Sequence, residues 1–236
     1  MTTLVLGGTG GIGSALARRL AARGEQPFLV ARDGARLRDL AGEIGAPWHE
    51  ADVTDAAALR GAVAAAGGAL AGLAVCIGSI VLKPLGRLTE ADFAEALRLN
   101  ALVPALAVQA AAPALLAGKG AVVLFSSVAA RRGFPNHAAI GMAKAAVEGL
   151  TVALAAELAP HVRVNCIAPS LTRTALSDPL TRNPQMAEAI AKQHPIPRLG
   201  LPEDVAAMAD LLLRPDGWVT GQVIGVDGGR AAVAGR

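Results

Sequence analysis

A glycine-rich run directly after the first apolar segment constrains this chain more than any other feature. Residues 7–13 read Gly-Gly-Thr-Gly-Gly-Ile-Gly, follow the apolar residues 4–6, and satisfy both G-x-G-x-x-G and G-x-x-x-G-x-G spacing. The next segment, 11–23, carries its apolar residues on one helical face. A strand, a glycine turn and an amphipathic helix in this order predict a pyrophosphate site made by backbone N–H groups and a helix N-terminus. The residues expected to contact it are Gly7, Thr9, Gly10, Gly11, Ile12 and Gly13.

Apolar strand-like segments alternate with helix-like segments along the rest of the chain. The predicted strands are Thr2–Leu6, 27–31, 46–50, 73–77, 121–126, 162–167 and 222–226. The predicted helices include 11–23, 33–44, 55–66 and 138–159, and Thr89 with Asp92 resembles a capping box. Repeated strand–helix–strand units predict a parallel sheet covered on both faces. We therefore expect residues 1–236 to form a single α/β domain with a doubly wound, seven-stranded parallel sheet.

The high apolar content raises the question of a membrane protein. Hydrophobic residues make up 53% of the chain, and the mean hydropathy is +0.45. The longest uncharged stretch, 99–118, contains two prolines and is rich in alanine, so it is a poor bilayer span. The run 4–6 leads at once into glycines, which is atypical of a signal peptide. We expect a cytoplasmic protein in which 99–118 is a buried helix.

Charge, cysteine and histidine content exclude several other classes of function. The net charge is only +3 and aromatic residues are 3% of the chain, without a basic run, so nucleic-acid binding is not expected. The two cysteines, Cys76 and Cys166, lie in apolar segments, which predicts buried, reduced thiols. The four histidines are scattered, so no metal site is expected. The expected partner is a small-molecule substrate.

Two long helices, around 101–116 and 138–158, are apolar on more than one face. A helix that is apolar all round needs cover on all sides, and one sheet covers only one of them. We therefore expect a homo-oligomer, a dimer or tetramer, formed through these two helices.

The end of the second strand predicts which nicotinamide coenzyme the site takes. An acidic residue there binds a ribose 2′-hydroxyl, whereas an arginine accommodates a 2′-phosphate. Arg32 follows the strand, and Asp33 stands where the next helix needs an N-cap. This arrangement favours NADP(H), with Arg32 on the 2′-phosphate; NAD(H) held by Asp33 is the alternative.

The chain resembles the short-chain dehydrogenases/reductases over essentially its whole length. The matching segments are residues 7–13, 52–55, 97–100, 126–127, 143–146, 163–169, 198–205 and 220–229. The resemblance implies a Rossmann fold and hydride transfer to or from a nicotinamide coenzyme. It implies that Ser127, Lys144 and Asn100 belong to the active site. It also implies cofactor contacts from Asp52, Val53, Ile77, Gly78, Lys144, Pro169, Thr172 and Thr174.

The family's catalytic tyrosine has no counterpart in this sequence. The pattern Tyr-x-x-x-Lys would put it at position 140, where the chain has Ile140, and the whole chain contains no tyrosine. Enoyl-thioester reductases of the same superfamily carry a tyrosine seven residues before the lysine, and here that position is His137. Histidine titrates near neutral pH, and residues seven apart share a helix face, so His137 is the candidate proton donor. A histidine that merely lines the start of the helix is the alternative.

Three functions remain open on these grounds. The first is an NADPH-dependent carbonyl reductase or alcohol dehydrogenase with an unusual proton donor, and the second is an enoyl-thioester reductase. The third is a catalytically inactive NADP(H)-binding scaffold or sensor. The substrate pocket is expected between 79–88, 128–137 and 170–195; the last stretch is rich in proline and apolar residues and predicts a lid over an apolar ligand.

Overall fold

A seven-stranded parallel sheet with helices on both faces forms the molecule, whose structure is a computed structural model describing residues 1–233. The strands are β1 (Thr2–Leu6), β2 (Gln26–Ala31), β3 (Trp48–Glu50), β4 (Leu70–Val75), β5 (Ala121–Phe125), β6 (Arg163–Pro169) and β7 (Val223–Val226). The helices are α1 (Gly11–Ala22), α2 (Gly34–Ile44), α3 (Ala56–Ala66), α4 (Glu90–Leu97), α5 (Val103–Gly118), α6 (Ala138–Leu158), α7 (Asp178–Thr181), α8 (Pro184–Ala191) and α9 (Pro202–Leu213). The predicted doubly wound α/β fold is confirmed.

The strand order places a binding crevice next to the glycine run. The order is β3-β2-β1-β4-β5-β6-β7. Strands β2 and β3 are added on one side of β1 and strands β4 to β7 on the other, so the order of strands reverses between β1 and β4. All strands are parallel, with Leu6 paired to Val30 of β2 and to Val75 of β4. In such sheets ligands bind outside the carboxyl ends of the strands at this reversal. The glycine run leaves β1 at that point.

Alternating side chains of the strands build one core on each face of the sheet. In β1, Leu4 and Leu6 pack into a cluster with α3, α5 and α6, whereas Val5 packs into a second cluster with α1, α2 and α9. All three side chains are fully buried. Both faces of the sheet are therefore apolar, which explains why its strands read as uninterrupted apolar runs.

Helix boundaries follow capping side chains. Asp33 accepts a hydrogen bond from the backbone N–H of Arg36, and Thr89 forms the predicted capping box with Asp92 at the start of α4. Asp55, predicted to begin α3, instead caps it from outside, accepting from the N–H groups of Ala57 and Ala58. The fourth strand ends at Val75 rather than at position 77, because the chain beyond Cys76 turns away from the sheet to wall the crevice.

A π-helical turn at Arg98–Leu102 joins helices α4 and α5 into one helical segment, Glu90–Gly118. This segment and α6 are both long and apolar enough to cross a membrane by length and composition alone. Each packs one side against the sheet, where Ala107 and Val147 are fully buried. Their outer sides carry exposed apolar residues, among them Leu102, Met142 and Val152.

Candidate active site

A cavity of about 300 Å³ opens at the carboxyl edge of the sheet. The residues predicted for the site that lie in its wall are Ile12, Ile77, Gly78, Ser127, His137, Lys144, Pro169, Thr172 and Thr174. Apolar side chains from the loop after β4, the loop after β5 and the segment after β6 form most of the remaining wall. The three chain segments expected to enclose a substrate therefore meet around one space.

The glycine turn leads from β1 to an uncapped helix N-terminus. Among the described residues, helix α1 has no side-chain cap at Gly10 and no acidic residue in its first turn, whereas α2 and α3 are capped by aspartates. A side chain at Gly13 would collide with the carbonyl of Gly7, and one at Gly11 would lie 2.7 Å from the Thr174 methyl group. The free N–H groups and the closely approached backbone fit the phosphates of a dinucleotide.

Two arginines lie where the adenosine of a dinucleotide is expected from the sequence. Arg32 is exposed just beyond β2, and Arg36 donates a 2.7 Å hydrogen bond from Nη2 to the carbonyl of Thr9. Hydrogen bonds from Thr54, with a smaller contribution from the guanidinium of Arg32, lower the pKa of Asp52. Asp33 is committed to capping α2, as predicted. The sequence pointed to Arg32 but not to Arg36, whose contact with the glycine turn depends on how α2 packs.

The ammonium group of Lys144 is buried in the cavity floor. Only 8% of the residue is exposed, and Nζ donates a 2.8 Å hydrogen bond to the carbonyl of Phe125. Burial lowers the pKa of Lys144 to about 8. A Cβ placed on Gly78 would lie 3.4 Å from Nζ and 2.9 Å from Oδ1 of Asn100. Gly78 therefore lets these two polar groups approach the cavity side by side.

Asn100 lies in the π-helical turn and is fully buried behind the cavity wall. Its Oδ1 accepts a hydrogen bond from the N–H of Ser79 at 3.1 Å, and its Nδ2 donates to Ser79 Oγ and to the carbonyl of Ala96. Its side chain thus fixes the loop after β4 that contributes Gly78. Pi-helical turns often occur at functional sites, because they redirect side chains within a helix.

The two serines after β5 have different partners. Ser126 is buried, and its hydroxyl lies 3.0 Å from the carbonyl of Lys144 and 2.9 Å from a carboxylate oxygen of Glu148. Ser127 lies in the cavity wall, and its Oγ accepts a hydrogen bond from the N–H of Ala129, which leaves its hydrogen free for a ligand. Ser126 thus joins β5 to α6, and Ser127 can bind a substrate oxygen.

His137 occupies the N-cap position of α6 without capping it. Its Nδ1 lies 2.7 Å from the carbonyl of Pro135, which assigns the hydrogen of the neutral ring to Nδ1. Within residues 1–233, Nε2 makes no hydrogen bond, so it can accept or give a proton. Ile140, four residues before Lys144, is buried in the wall of the same cavity.

A polar cluster at the far side of the cavity was not predicted from the sequence. It joins Ser170 at the end of β6, His194 after α8 and Arg230 after β7. Residues around Ser170 and His194 were expected to form a lid, but Arg230 lies just beyond the last segment that matched the family. No sequence signal brings together side chains so far apart along the chain.

The two cysteines differ in their surroundings. Cys166 is a fully buried free thiol, and burial raises its pKa to about 12. Cys76 is also free but only partly buried, because it lies in the cavity wall at the end of β4. The predicted burial is therefore confirmed for Cys166, whereas Cys76 is only partly buried.

Known proteins match this chain over nearly its whole length. The family model described as enoyl-(acyl carrier protein) reductase matches residues 7–231. Dehydrogenase/reductase SDR family member 4 of Pongo abelii is 34% identical, over 96% of this chain and 86% of that protein. A protein named inactive 2-(S)-hydroxypropyl-CoM dehydrogenase 2, of Xanthobacter autotrophicus, is 36% identical, over 92% of this chain and 100% of that protein.

Two solved structures share the fold. A short-chain type dehydrogenase/reductase from Mycobacterium ulcerans has a TM-score of 0.92 at 33% identity, covering 99% of this chain and 90% of that chain. RhlG of Pseudomonas aeruginosa, solved as an NADP active-site complex, has a TM-score of 0.91 at 28% identity, covering 98% of this chain and 96% of that chain.

Proposed function

The chain belongs to the short-chain dehydrogenase/reductase family of oxidoreductases, and we propose that it transfers hydride between NADP(H) and a small carbonyl or alcohol substrate. The observation that carries this proposal is one cavity that joins Ser127, His137 and Lys144 next to the uncapped N-terminus of α1. The family's tyrosine is absent, and His137 takes over proton transfer.

Each part of the crevice would hold one part of the cofactor. The N–H groups of the glycine turn would bind the pyrophosphate, and Arg32 with Arg36 would bind the 2′-phosphate. Residues 52–53 would border the adenine, while Gly78 and Lys144 would border the nicotinamide ribose. When bound, the reduced nicotinamide supplies the hydride.

The proton would reach the substrate oxygen from His137. With Nδ1–H held by the Pro135 carbonyl, a protonated imidazole presents its second hydrogen at Nε2. The hydroxyl of Ser127 would donate a hydrogen bond to the same oxygen and stabilise the charge that develops there. In the oxidative direction the neutral ring would accept the alcohol proton at Nε2.

A second candidate function is enoyl-thioester reduction. It is favoured by the description of the matching family model and by the spacing of seven residues between His137 and Lys144. The same groups would then stabilise an enolate oxygen rather than protonate a carbonyl.

Consumption of NADPH, followed at 340 nm, tests the proposal and separates it from the alternatives. We expect turnover with aldehydes or ketones, and much slower turnover with enoyl thioesters. The reverse order would favour the second candidate. Tight NADPH binding without turnover on either panel would identify an inactive scaffold, and absence of binding to NADPH and NADH would contradict the whole assignment.

Removing the two arginines at the adenosine end should change cofactor preference. We expect Arg32→Ala to weaken NADPH binding about 10- to 100-fold, since it removes charge-assisted hydrogen bonds, and Arg36→Ala to have a similar effect. Binding of NADH, which lacks the 2′-phosphate, should change little. Fluorescence titration measures both dissociation constants, and Arg38→Ala, an exposed arginine on the same helix, serves as the control. A wild-type protein that binds NADH more tightly than NADPH would contradict the role of Arg32.

We also propose that the exposed apolar sides of α4–α5 and α6 form the interface of a homo-oligomer. Leu102 is 50% exposed and Val152 is 56% exposed, although both lie on long apolar helices. Light scattering at micromolar concentration should give a mass that is a multiple of 23.7 kDa. Val152→Asp should shift that mass towards the monomer, because it would bury a charge in the interface. A monomeric wild-type protein would contradict the interface.

A further inference from the structure

Arg230 places a buried positive charge in the wall of the substrate cavity. Only 9% of the residue is exposed, and it lines the cavity together with Phe134. Its guanidinium carbon lies 4.8 Å from the centre of the Phe134 ring. The rest of the wall is mostly apolar, so this group sets the electrostatic character of the far side of the cavity.

Among residues 1–233, the guanidinium of Arg230 forms hydrogen bonds with neutral groups only. Nη2 donates to Oε1 of Gln193 at 2.6 Å, and Nη1 donates to Oγ of Ser170 at 3.4 Å. The ion pairs of the described residues do not include Arg230. Asp227, which is close in sequence, uses its carboxylate to accept hydrogen bonds from the N–H groups of Gly229 and Ala231. A buried cation without an anion is unfavourable, and burial accordingly lowers the pKa of Arg230.

A second guanidinium adds to the positive charge at this place. Arg132 donates a hydrogen bond from Nη1 to the main-chain carbonyl of Arg230, and its own guanidinium carbon lies 5.9 Å from the Phe134 ring centre. Two like charges on one ring repel each other, and the charge of Arg132 further lowers the pKa of Arg230. An anionic ligand would reduce this repulsion and would supply the anion that residues 1–233 do not provide.

Hydrogen bonds around Ser170 hold Arg230 in position. Nδ1 of His194 lies 2.9 Å from the carbonyl of Ile190, which assigns the ring hydrogen to Nδ1. Nε2 is therefore an acceptor, and Ser170 donates its hydroxyl hydrogen to it at 2.8 Å. The oxygen of Ser170 then has only lone pairs left for Arg230, so the guanidinium is oriented before any ligand arrives.

We propose that Arg230, assisted by Arg132, binds an anionic group of the substrate, such as a carboxylate. This inference rests on the proposed function and narrows it to carbonyl or alcohol compounds that carry an acid group. The Phe134 ring contacts both Arg230 and His137, whose ring centre is 5.3 Å away. The acid group and the reacting oxygen would therefore both lie near this ring, a short separation that fits a short oxo acid or hydroxy acid.

Calorimetric titration with hexanoate and hexanamide tests this inference without requiring turnover. The two probes differ in charge but hardly in shape, and neither is reduced by NADPH. The full chain is titrated in the presence and absence of NADP⁺. We expect hexanoate to bind at least about 10-fold more tightly than hexanamide, as a charge-assisted guanidinium contact predicts. Arg230→Met should abolish that preference, and Arg230→Lys should retain part of it.

Matched variants separate this role from a structural one. Arg60→Met removes an exposed arginine on α3 and should leave the preference unchanged. Unaltered hexanamide binding by Arg230→Met would show that the cavity is intact. Hexanoate that binds no more tightly than hexanamide, or not at all at millimolar concentration, would overturn the inference, as would a preference that survives in Arg230→Met. A preference for hexanoate in a protein that reduces no carbonyl would support the anion site while contradicting the proposed function.

Discussion

Replacing Lys144 with methionine is expected to remove turnover and, in the cofactor-free protein, to raise the free energy of unfolding at pH 7. Turnover should fall about 100-fold or more, because the cavity floor loses the charged group that, in the proposed function, would border the ribose and the proton-transfer site. Stability should rise because burial lowers the pKa of Lys144 from 10.5 to about 8, so folding at pH 7 buries an unfavourable charge. That shift corresponds to about 3 kcal/mol, reduced to about 2 kcal/mol by loss of the hydrogen bond to Phe125.

The stabilisation by Lys144→Met should depend on pH in one direction only. Below pH 8 the lysine is charged in the folded and the unfolded chain, and the full penalty is present. Between pH 8 and 10.5 the unfolded chain binds the proton and the folded chain does not, so the wild-type protein gains stability as the pH rises. Urea unfolding at pH 7 and pH 9.5 should therefore show a shrinking difference between wild type and variant.

Lys119→Met is the control for this experiment, because Lys119 is exposed at the end of α5. This variant should show the same change in the free energy of unfolding between pH 7 and pH 9.5 as the wild type, and the same turnover. A Lys144→Met protein that is less stable than wild type at pH 7 would contradict the cost assigned to the buried charge, whatever its activity.

Replacing His137 with alanine is expected to lower kcat/KM about 100-fold or more, with little change in NADPH affinity. The reason is that Nε2 of His137 would deliver the proton, whereas other residues of the crevice would hold the proposed cofactor. His161→Ala changes an exposed histidine outside the cavity wall and should leave turnover unaffected. Steady-state kinetics against the best carbonyl substrate measures both variants.

Adding a tyrosine at position 140 makes this test more specific. Ile140 lies in the cavity wall, at the position expected for the family's phenol, so Ile140→Tyr in the His137→Ala background should restore part of the lost turnover. The pH dependence of kcat should then move upwards, since a phenol titrates at higher pH than an imidazole. A His137→Ala protein with full turnover would show that the imidazole only lines the cavity.

The sequence predicted the scaffold well because its signals are local and periodic. The glycine run, the capping residues Asp33 and Thr89, and the apolar strands each act on neighbouring residues, and the order of elements then leaves few topologies open. The resemblance to a family brought Ser127, Lys144 and Asn100 to one site, although their separation in sequence contains no such information. The hydrogen-bond partners of Asn100 and Lys144 include main-chain groups of other segments, which only the folded chain brings close.

The side chains that the sequence did not reveal are those whose role depends on distant contacts. Arg230 reads as one more surface arginine after a glycine pair, and its burial depends on Phe134, Ser170 and Gln193 from three other segments. Arg36 likewise reads as an exposed helix residue until α2 packs beside the glycine turn. Long side chains of this kind have no periodic pattern, so only the folded chain shows which cavity they enter.

The π-helical turn at Arg98–Leu102 fixes the length of the segment that contains it. Such a turn holds one residue more than the corresponding α-helical turn. Deleting that residue would let the helix run on undistorted, but each residue of an α-helix advances about 100° around its axis. Asn100 would then rotate away from Ser79 and lose the hydrogen bonds that close the loop after β4. A point substitution elsewhere on this helix leaves that register unchanged. A one-residue insertion or deletion between Glu90 and Asn100 would turn the asparagine away from the cavity wall. Related sequences should therefore align across this segment without gaps.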